Sequence, residues 1–290
     1  MTGFDPLTPS SLSDLLPLMG GVPRELQMVA GGTDLMVKVG RQASGRLGLI
    51  DLSGVEEMKG IEVTESEAVI GALETMTAIT EHPLLNRFAP ALAQAAGRVG
   101  SWQIRNRATI GGNLVNASPA ADTPPALAAL EATAKVLSPQ GWRELSVTDF
   151  PLGPNRNSLA PDEVLVSLRL PLKPGRRSAF SKIGSRREVS ISRLNLAISV
   201  DLDAGRNIAQ ARVYMGTLGI ALRPCPQAET TLREHGLEDE EALGRALADT
   251  AAEAIPGRAT LAYKQSAARA LGQDVLAELR GQIEKQGAHS

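Results

Sequence analysis

Two short segments of the sequence each carry a pair of glycines beside a threonine, and this composition is suited to holding an anion. Residues 30–34 read AGGTD and residues 109–113 read TIGGN. Glycine has no Cβ, so its backbone can adopt positive φ and can lie directly against a ligand. Successive amides then point the same way and form an anion-binding concavity. Two such segments, roughly eighty residues apart, predict one long anion held from two sides.

Both doublets also have a simpler interpretation, because glycine pairs most often form turns. The chain has 28 glycines among 290 residues, so some pairs arise by chance. The polar neighbours Thr33, Thr109 and Asn113 favour a ligand site. No GxGxxG follows a predicted strand and no GxxxxGK[ST] is present. A phosphate site would therefore have to come from these two segments.

Residues for other kinds of chemistry are few. A single cysteine, Cys225, excludes a disulfide within the chain, a Cys-type zinc site and an iron–sulfur cluster held by this chain alone. The histidines His82, His235 and His289 are scattered and lack the spacing of metal ligands or of a triad. The sequence therefore predicts no catalytic residue and no metal site.

Composition and charge limit the class of protein. Hydrophobic residues make up 43% and charged residues 21%, which is typical of a soluble globular protein, and the length suggests two domains. A net charge of −2 argues against a nucleic-acid partner. No apolar stretch approaches the roughly 18–20 residues of a membrane helix. The N-terminus lacks the pattern of a signal peptide, so we expect a cytoplasmic location.

The elements around the two glycine segments follow from local patterns. A strand over 26–30 leads into the first segment, and a helix over 34–39, with Asp34 as a capping residue, follows it. A helix near 78–82 capped by Thr77, and one Ala-rich helix over 84–99, precede the second segment. After that segment, Asp122 or Thr123 is expected to cap a helix that begins with a proline pair.

The rest of the chain mixes strands and helices. Residues 10–19 predict a helix capped by Ser11 or Ser13 and stopped by Gly20–Gly21, and residues 151–162 a long connection. Further strands are predicted at 47–52, 61–64, 68–73, 134–137, around Val147, and at 164–170, 179–184, 194–202 and 208–216, and helices at about 238–254 and 260–286. A Lys-Pro-Gly hinge puts a domain boundary near residue 175, and the fold class is α+β.

Three stretches resemble a known family, the FAD-binding medium subunits of the molybdenum hydroxylases. These stretches are residues 30–35 (AGGTDL), 103–130 (QIRNRATIGGNLVNASPAADTPPALAAL) and 180–200 (FSKIGSRREVSISRLNLAISV). The family includes the xanthine dehydrogenases, carbon-monoxide dehydrogenase and nicotinate dehydrogenase. The second stretch is highly specific, and the overlap in length and order covers nearly the whole chain.

The resemblance implies a fold and a division of the chain. A PCMH-type FAD-binding domain would occupy residues 1–175, with two α+β subdomains at about 1–55 and 56–175. A C-terminal domain with a three-stranded sheet and helices would occupy residues 176–290. In the family, FAD lies between these parts and its diphosphate rests on both glycine segments.

The resemblance also implies site residues. The cofactor-binding set carried over by position is Ala30, Gly31, Gly32, Thr33, Asp34, Thr109, Ile110, Gly112, Asn113, Ser118, Asp122, Lys182 and Ile191. Ile191 would cover the isoalloxazine ring as an aliphatic side chain. Many relatives have an acidic residue where this chain has Ser190, so a hydrogen bond that the carboxylate makes in them is in question here.

The implied function is electron transfer within a larger enzyme. Substrate would be hydroxylated at a molybdopterin cofactor on a large subunit, and electrons would cross two 2Fe-2S clusters on a small subunit to FAD on this chain. They would leave to NAD or another acceptor, and the assembly would be a dimer of heterotrimers. Two alternatives stay open: a stand-alone flavin oxidoreductase of the same fold, and a docking scaffold that has lost FAD.

Overall fold

The computed structural model describes residues 6–20, 26–37, 48–186, 189–219 and 222–287. Several predictions fall partly or wholly outside these ranges. They concern Gly21, the end of the helix over 34–39, the first residue of the strand over 47–52, residues 187–188 and His289. The described part of the chain combines sheets with separate helices, so the α+β class is confirmed.

The N-terminal elements form a small parallel pair of strands with one helix. They are α1 (Leu12–Met19), β1 (Leu26–Val29) and β2 (Gly48–Asp51). Ser11 caps α1 as predicted, because its hydroxyl accepts a hydrogen bond from the amide of Asp14. The two strands pair in parallel, and residues 35–37 are helical immediately after the first glycine segment.

A five-stranded antiparallel sheet follows, in the order β3-β4-β9-β5-β6. Its strands are β3 (Ile61–Val63), β4 (Glu67–Gly71), β5 (Thr133–Ser138), β6 (Gly141–Ser146) and β9 (Val164–Pro171), and a short hairpin, β7 (Pro151–Gly153) and β8 (Arg156–Asn157), lies in the predicted long connection. The helices are α2 (Met76–Glu81), α3 (Pro83–Phe88), α4 (Pro90–Gly97), α5 (Trp102–Arg105), α6 (Ile110–Val115) and α7 (Thr123–Ala129). Apolar residues of every one of these helices except α5 share one core with the sheet, and α5 has no buried residue.

Four local predictions in this part are wrong. The cap of α2 is Thr75 and not Thr77, since the Thr75 hydroxyl accepts from the amide of Ala78. The single helix over 84–99 is two helices, because the chain leaves helical geometry at Ala89 and restarts with a proline at its first turn. Val147 belongs to a short 3₁₀ turn instead of a strand. The side chain of Asp122 does not cap α7.

The C-terminal part is a meander with helices packed on it. The strands are β10 (Arg176–Gly184), β11 (Ser192–Leu202), β12 (Ile208–Gly216) and β13 (Arg223–Pro224), and the helices are α8 (Pro226–His235), α9 (Glu240–Ala254) and α10 (Leu261–Gly287). The three long strands match the predicted three-stranded sheet, and β13 adds a two-residue edge. Helix α8 was not predicted. A second apolar core lies between this sheet and these helices.

Helix α7 joins the two parts, because it packs in an alanine-rich cluster against the C-terminal sheet. Beyond its C-terminal end lies a set of five charged residues, which we call the distal cluster: Glu131, Lys173, Arg176, Asp201 and Arg212. The Arg176 side chain is 1% exposed, and its Nε donates to Asp201 at 2.6 Å. Burial alone would raise the pKa of Asp201, but hydrogen bonds and charge from Arg176 and Lys173 outweigh it and hold that pKa well below its ordinary value.

Residues before and after the start of β10 contribute to different apolar cores. The apolar cores on either side of it are distinct clusters. The domain boundary near residue 175, and the subdomain boundary near residue 55, remain our predictions.

Candidate functional site

A cleft of about 820 Å³ lies between the N-terminal part and the C-terminal sheet. Its volume falls within the range of roughly 300–1,000 Å³ that is usual for ligand pockets. Three pieces of chain form its walls: residues 27–35, the region from Val99 to Asp122, and residues 189–192. The hairpin β7–β8 completes the wall with Asn155 and Asn157.

The first glycine segment crosses one wall of the cleft. A Cβ on Gly31 would lie 1.8 Å from the carbonyl oxygen of Arg107, so only glycine lets this segment pack against residues 107–108. Gly32 has φ +70°, the left-handed region that glycine tolerates. Among the residues that the structure describes, the amides of Gly31, Gly32 and Thr33 have no acceptor. Three consecutive free donors therefore line this wall, as the anion-site prediction requires.

The second glycine segment is built differently, and the expected positive-φ loop is wrong here. Both of its glycines lie in helix α6, and neither has positive φ. The amides of Ile110 and Gly111 donate to the carbonyls of Glu74 and Ala72, both at 2.9 Å. The amide of Gly112 donates to the hydroxyl of Thr109, which caps the helix. These amides already have protein acceptors. The segment therefore contributes the surface of the cleft wall and not free hydrogen-bond donors.

The two glycines of this second segment have different surroundings. A Cβ on Gly111 would lie 2.7 Å from the carbonyl oxygen of Ala72, so this glycine lets α6 pack against the end of β4. A Cβ on Gly112 would meet only the hydroxyl of Thr109, at 2.9 Å, and Gly112 lines the cleft. The next residue, Asn113, accepts a hydrogen bond from the Thr123 hydroxyl at 2.6 Å, which fixes its amide beside the cleft.

Asp122 is the one buried carboxylate on the cleft wall among the described residues, at 6% exposed. It was predicted as a helix cap, a cofactor contact or both. Its side chain makes no cap, its oxygens accept from three side chains of the C-terminal sheet, and the cofactor contact stays a prediction. Ser192 donates to Oδ1 at 2.5 Å, Asn195 to Oδ1 at 3.1 Å and Lys182 to Oδ2 at 2.6 Å. We call these four residues the cleft cluster.

Residues 189–192 form the wall that the C-terminal part contributes. Val189 has φ +50°, which is strained for a β-branched residue, and the guanidinium of Arg186 donates twice to its carbonyl. Ser190 contributes its carbonyl as an acceptor for Lys182 at 3.2 Å. Ile191 is 79% exposed on the cleft side, where an aliphatic cover for a flat ring was predicted.

The cleft brings together eleven of the thirteen predicted residues. They are Ala30, Gly31, Gly32, Thr33, Asp34, Thr109, Gly112, Asn113, Ser118, Asp122 and Ile191. Ile110 does not line it, because its side chain is fully buried in the core. Lys182 also does not line it, and lies behind Asp122 as its ion-pair partner.

Other cleft residues were not predicted from the sequence. Asn116, Asn155 and Asn157 line one side, and Val99 and Ile104 another. Asn155 has φ +53° at the turn of the β7–β8 hairpin, so an asparagine after Gly-Pro was a usable turn signal. Ser192 and Asn195 both lie in the buried strand β11, and no local sequence pattern indicates that their partner is Asp122.

The remaining reactive groups lie away from the cleft. Cys225 is buried, and burial raises the pKa of its thiol to about 12, so it is held as a neutral thiol. Within the described ranges, no three His, Cys, Asp or Glu residues come close enough together to hold a metal ion. No helix in the same ranges is long and apolar enough to span a membrane.

Comparisons with known proteins agree along nearly the whole chain. Residues 2–173 match the family described as the FAD binding domain in molybdopterin dehydrogenase, and residues 179–279 match the CO dehydrogenase flavoprotein C-terminal domain. The nicotinate dehydrogenase FAD-subunit of Eubacterium barkeri is 32% identical over 287 residues, which cover 97% of this chain and 96% of the relative. The xanthine dehydrogenase FAD-binding subunit of Escherichia coli O157:H7 is 28% identical, with 93% of each chain covered.

Solved structures show the same similarity. A chain of quinoline 2-oxidoreductase from Pseudomonas putida 86 superposes with a TM-score of 0.86 at 26% identity, with 97% of this chain and 98% of that chain covered. A chain of carbon monoxide dehydrogenase from Hydrogenophaga pseudoflava gives a TM-score of 0.84 at 25% identity, with 96% and 98% covered.

Proposed function

Because this chain belongs to the family of FAD-binding medium subunits of the molybdenum hydroxylases, we propose that it carries electrons from a partner subunit through FAD to an acceptor. It is an oxidoreductase subunit, and its two matched regions follow each other as FAD-binding domain and flavoprotein C-terminal domain. FAD supplies the redox chemistry when it is bound, and the protein supplies binding and orientation.

The observation that best supports this proposal is the set of free amides in the cleft. The amides of Gly31, Gly32 and Thr33 lack acceptors within the described residues and line a cleft of about 820 Å³. A diphosphate offers several anionic oxygens, and consecutive amides around a left-handed glycine form a concavity that binds such groups. The chemistry of the wall therefore fits the diphosphate of FAD.

Each side of the cleft has a distinct proposed role. The amides of Gly31, Gly32 and Thr33 donate to the diphosphate, and Ala30 and Asp34 line the cleft on either side of them. The second segment, from Thr109 to Asn113, forms the facing wall. Gly112 has no side chain that would obstruct the cofactor there, and Asn113 offers its side-chain amide. Ser118 adds a hydroxyl, and Asp122 with Lys182 fixes the wall near the C-terminal part. Ile191 excludes water from one face of the ring.

The partners follow from what this chain lacks. With Cys225 as its single cysteine, the chain cannot ligate iron–sulfur clusters, so we place two 2Fe-2S clusters on a small subunit and the molybdopterin cofactor on a large one. Relatives named FAD-subunit and medium chain are, by those names, parts of enzymes with more than one subunit. We propose a dimer of heterotrimers in the cytoplasm, with NAD or another molecule as the electron acceptor.

Purification of the full chain tests this proposal. We expect a yellow protein with one FAD per chain and little turnover of any substrate until partner subunits are added. Bleaching of the flavin by a substrate of the single chain would instead indicate a stand-alone oxidoreductase. A colourless protein that does not take up FAD would indicate a docking scaffold.

A matched pair of variants tests the role of the free amides. Gly32→Asn and Gly32→Asp differ in charge and little else, and both residues tolerate the left-handed conformation that this position needs. Like charges a few ångströms apart repel by roughly 1–4 kcal/mol, so we expect the Asp variant to bind FAD at least about fivefold more weakly than the Asn variant. Equal FAD affinity of the two variants would argue against an anion at this wall.

A further inference from the structure

Asp122 is a cleft residue that side chains of the C-terminal sheet hold in place. It precedes helix α7, yet among the described residues every side chain that donates to it belongs to β10 or β11: Lys182, Ser192 and Asn195. The separation along the chain is 60 to 73 residues. The orientation of this cleft-lining carboxylate is therefore set by the other half of the protein.

Asn195 bonds Asp122 through its amide nitrogen, and this orientation leaves its amide oxygen without a donor among the described residues. Its Nδ2 donates to the carboxylate and to the carbonyl of Ala121, both at 3.1 Å. Its Oδ1 is buried and has no donor among the described residues, and it lies where a Cβ on Gly216 would come within 2.2 Å. A buried acceptor without a partner is unfavourable, so the donor side of this amide is the side that matters.

Lys182 connects the same carboxylate to the wall formed by residues 189–192. Its ammonium donates to Asp122 at 2.6 Å, to the carbonyl of Arg98 at 2.7 Å and to the carbonyl of Ser190 at 3.2 Å. An ammonium has three protons, so these bonds use all of its donors. Lys182 thus fixes both Asp122 and the wall, and has no donor left for a ligand.

We propose that Ser192 and Asn195 are positioning residues of the cleft. They hold Asp122 in place, and the affinity for flavin therefore depends on the position of the C-terminal sheet relative to the N-terminal part. Loss of either donor frees the carboxylate to rotate toward Lys182 or into the cleft, and loosens the wall at residues 189–192. This inference rests on the proposed function, because the ligand whose affinity changes is FAD.

A pair of serines in one strand gives the test a matched control. Ser192 and Ser199 both lie in β11, both are buried, and each donates across to the N-terminal part at 2.5 Å. Ser199 bonds the carbonyl of Ala129 and does not line the cleft, whereas Ser192 does. Asn195 does not line the cleft either, so a loss of FAD affinity in Asn195→Ala reports on the support of Asp122 alone. We therefore compare Ser192→Ala with Ser199→Ala in the full chain, by titrating the flavin-free proteins with FAD and by thermal unfolding.

We expect Ser192→Ala to weaken FAD binding about tenfold, since a hydrogen bond to a charged group is lost, while Ser199→Ala changes it by less than about twofold. Both variants are expected to lower Tm, so stability alone does not separate them. Ser192→Thr keeps the hydroxyl and should restore FAD affinity. The visible spectrum of bound flavin should shift in Ser192→Ala and not in Ser199→Ala.

Two results would overturn the inference. One is wild-type FAD affinity in both Ser192→Ala and Asn195→Ala. The other is an equal loss of affinity in Ser192→Ala and Ser199→Ala, which would indicate a general structural effect. If the wild-type chain itself does not bind FAD, the proposed function fails, and this is distinguishable because the unaltered protein shows it.

Discussion

Helix α7 is joined to the C-terminal sheet by ionic groups at both of its ends, and the two ends differ in what they face. At its start, the cleft cluster around Asp122 lines the ligand cleft. Beyond its end, the distal cluster joins Glu131 to Arg176 and Asp201 away from the cleft. The Ser199 hydroxyl bonds the last residue of the helix between them.

The difference between these ends separates stability from ligand binding. The distal cluster contains three cations and two carboxylates in contact and can act only on the joint between the two parts. The cleft cluster is a single ion pair supplemented by a hydroxyl and an amide, and two of its members, Asp122 and Ser192, line the cleft. We therefore expect changes at the distal end to affect unfolding alone, and changes at the cleft end to affect FAD affinity as well.

The largest expected effect is at the distal end. Arg176→Met removes a guanidinium that is 1% exposed and that bonds Asp201, Glu131 and the carbonyl of Leu130. The two partly exposed carboxylates keep only Lys173 and Arg212, so the free energy of unfolding should fall by about 3–5 kcal/mol. Urea unfolding measures this, and FAD affinity of the folded fraction should stay near wild type. The control Arg169→Met removes an exposed arginine and should cost less than about 0.5 kcal/mol. A large loss of FAD affinity in Arg176→Met would remove the distinction between the ends.

The next effect is at the cleft end. Lys182→Met leaves the Asp122 carboxylate buried without its cation, so we expect a loss of about 3 kcal/mol in unfolding free energy together with weaker FAD binding. Adding Asp122→Asn removes the unpaired charge and should recover most of the stability. If the double variant also recovered full FAD affinity, the cleft cluster would be a structural joint like the distal one.

Acid should weaken the distal end through Asp201. Its pKa is lowered on folding, so the unfolded chain binds the proton more readily and stability falls as pH drops below about 4 toward the folded-state pKa. We expect Asp201→Asn to be less stable than wild type at neutral pH and to lose less stability between pH 5 and pH 2. Chemical unfolding across that range measures both. Parallel pH curves for the two proteins would contradict the assignment.

The smallest effect on stability is expected at Gly112. Alanine favours a helix over glycine by about 1 kcal/mol, but its Cβ would press on the Thr109 hydroxyl, so Tm should hardly change. FAD affinity should fall, because the added methyl group faces the cleft. Gly111→Ala is the matched variant: its Cβ meets the backbone of Ala72, so it should lower Tm clearly. An unchanged FAD affinity in Gly112→Ala would show that the cofactor does not approach this wall closely.

Much of the fold could be predicted from local patterns. The alternation over 164–170 gave β9 within one residue, and the hairpin of β11 and β12 was predicted with its turn. The errors in the helices concern single residues that break or cap a helix. Pro90 divides a helix that alanine content made continuous, and the caps at Thr75 and Asp122 depend on which hydroxyl or carboxylate reaches an amide.

The site was predicted less evenly. Eleven predicted residues line the cleft, but the sequence could not show that the two glycine doublets are used differently. Around Gly32 the amides of residues 31–33 have no acceptor among the described residues. The amide of Gly111 instead donates to the carbonyl of Ala72, a residue from another part of the chain. Ser192 and Asn195 were missed for a similar reason, since their partner is 70 or more residues away and no local pattern marks a serine that faces a distant carboxylate.

The contact between Gly31 and the carbonyl of Arg107 has a consequence for sequence variation. The contact involves main-chain atoms of residue 107, so it places a steric limit on residue 31 and none on the side chain at 107. Among natural homologues we therefore expect glycine to be retained at the first position and many residue types to be accepted at the second. A pairwise covariation signal should be absent, although the two residues touch.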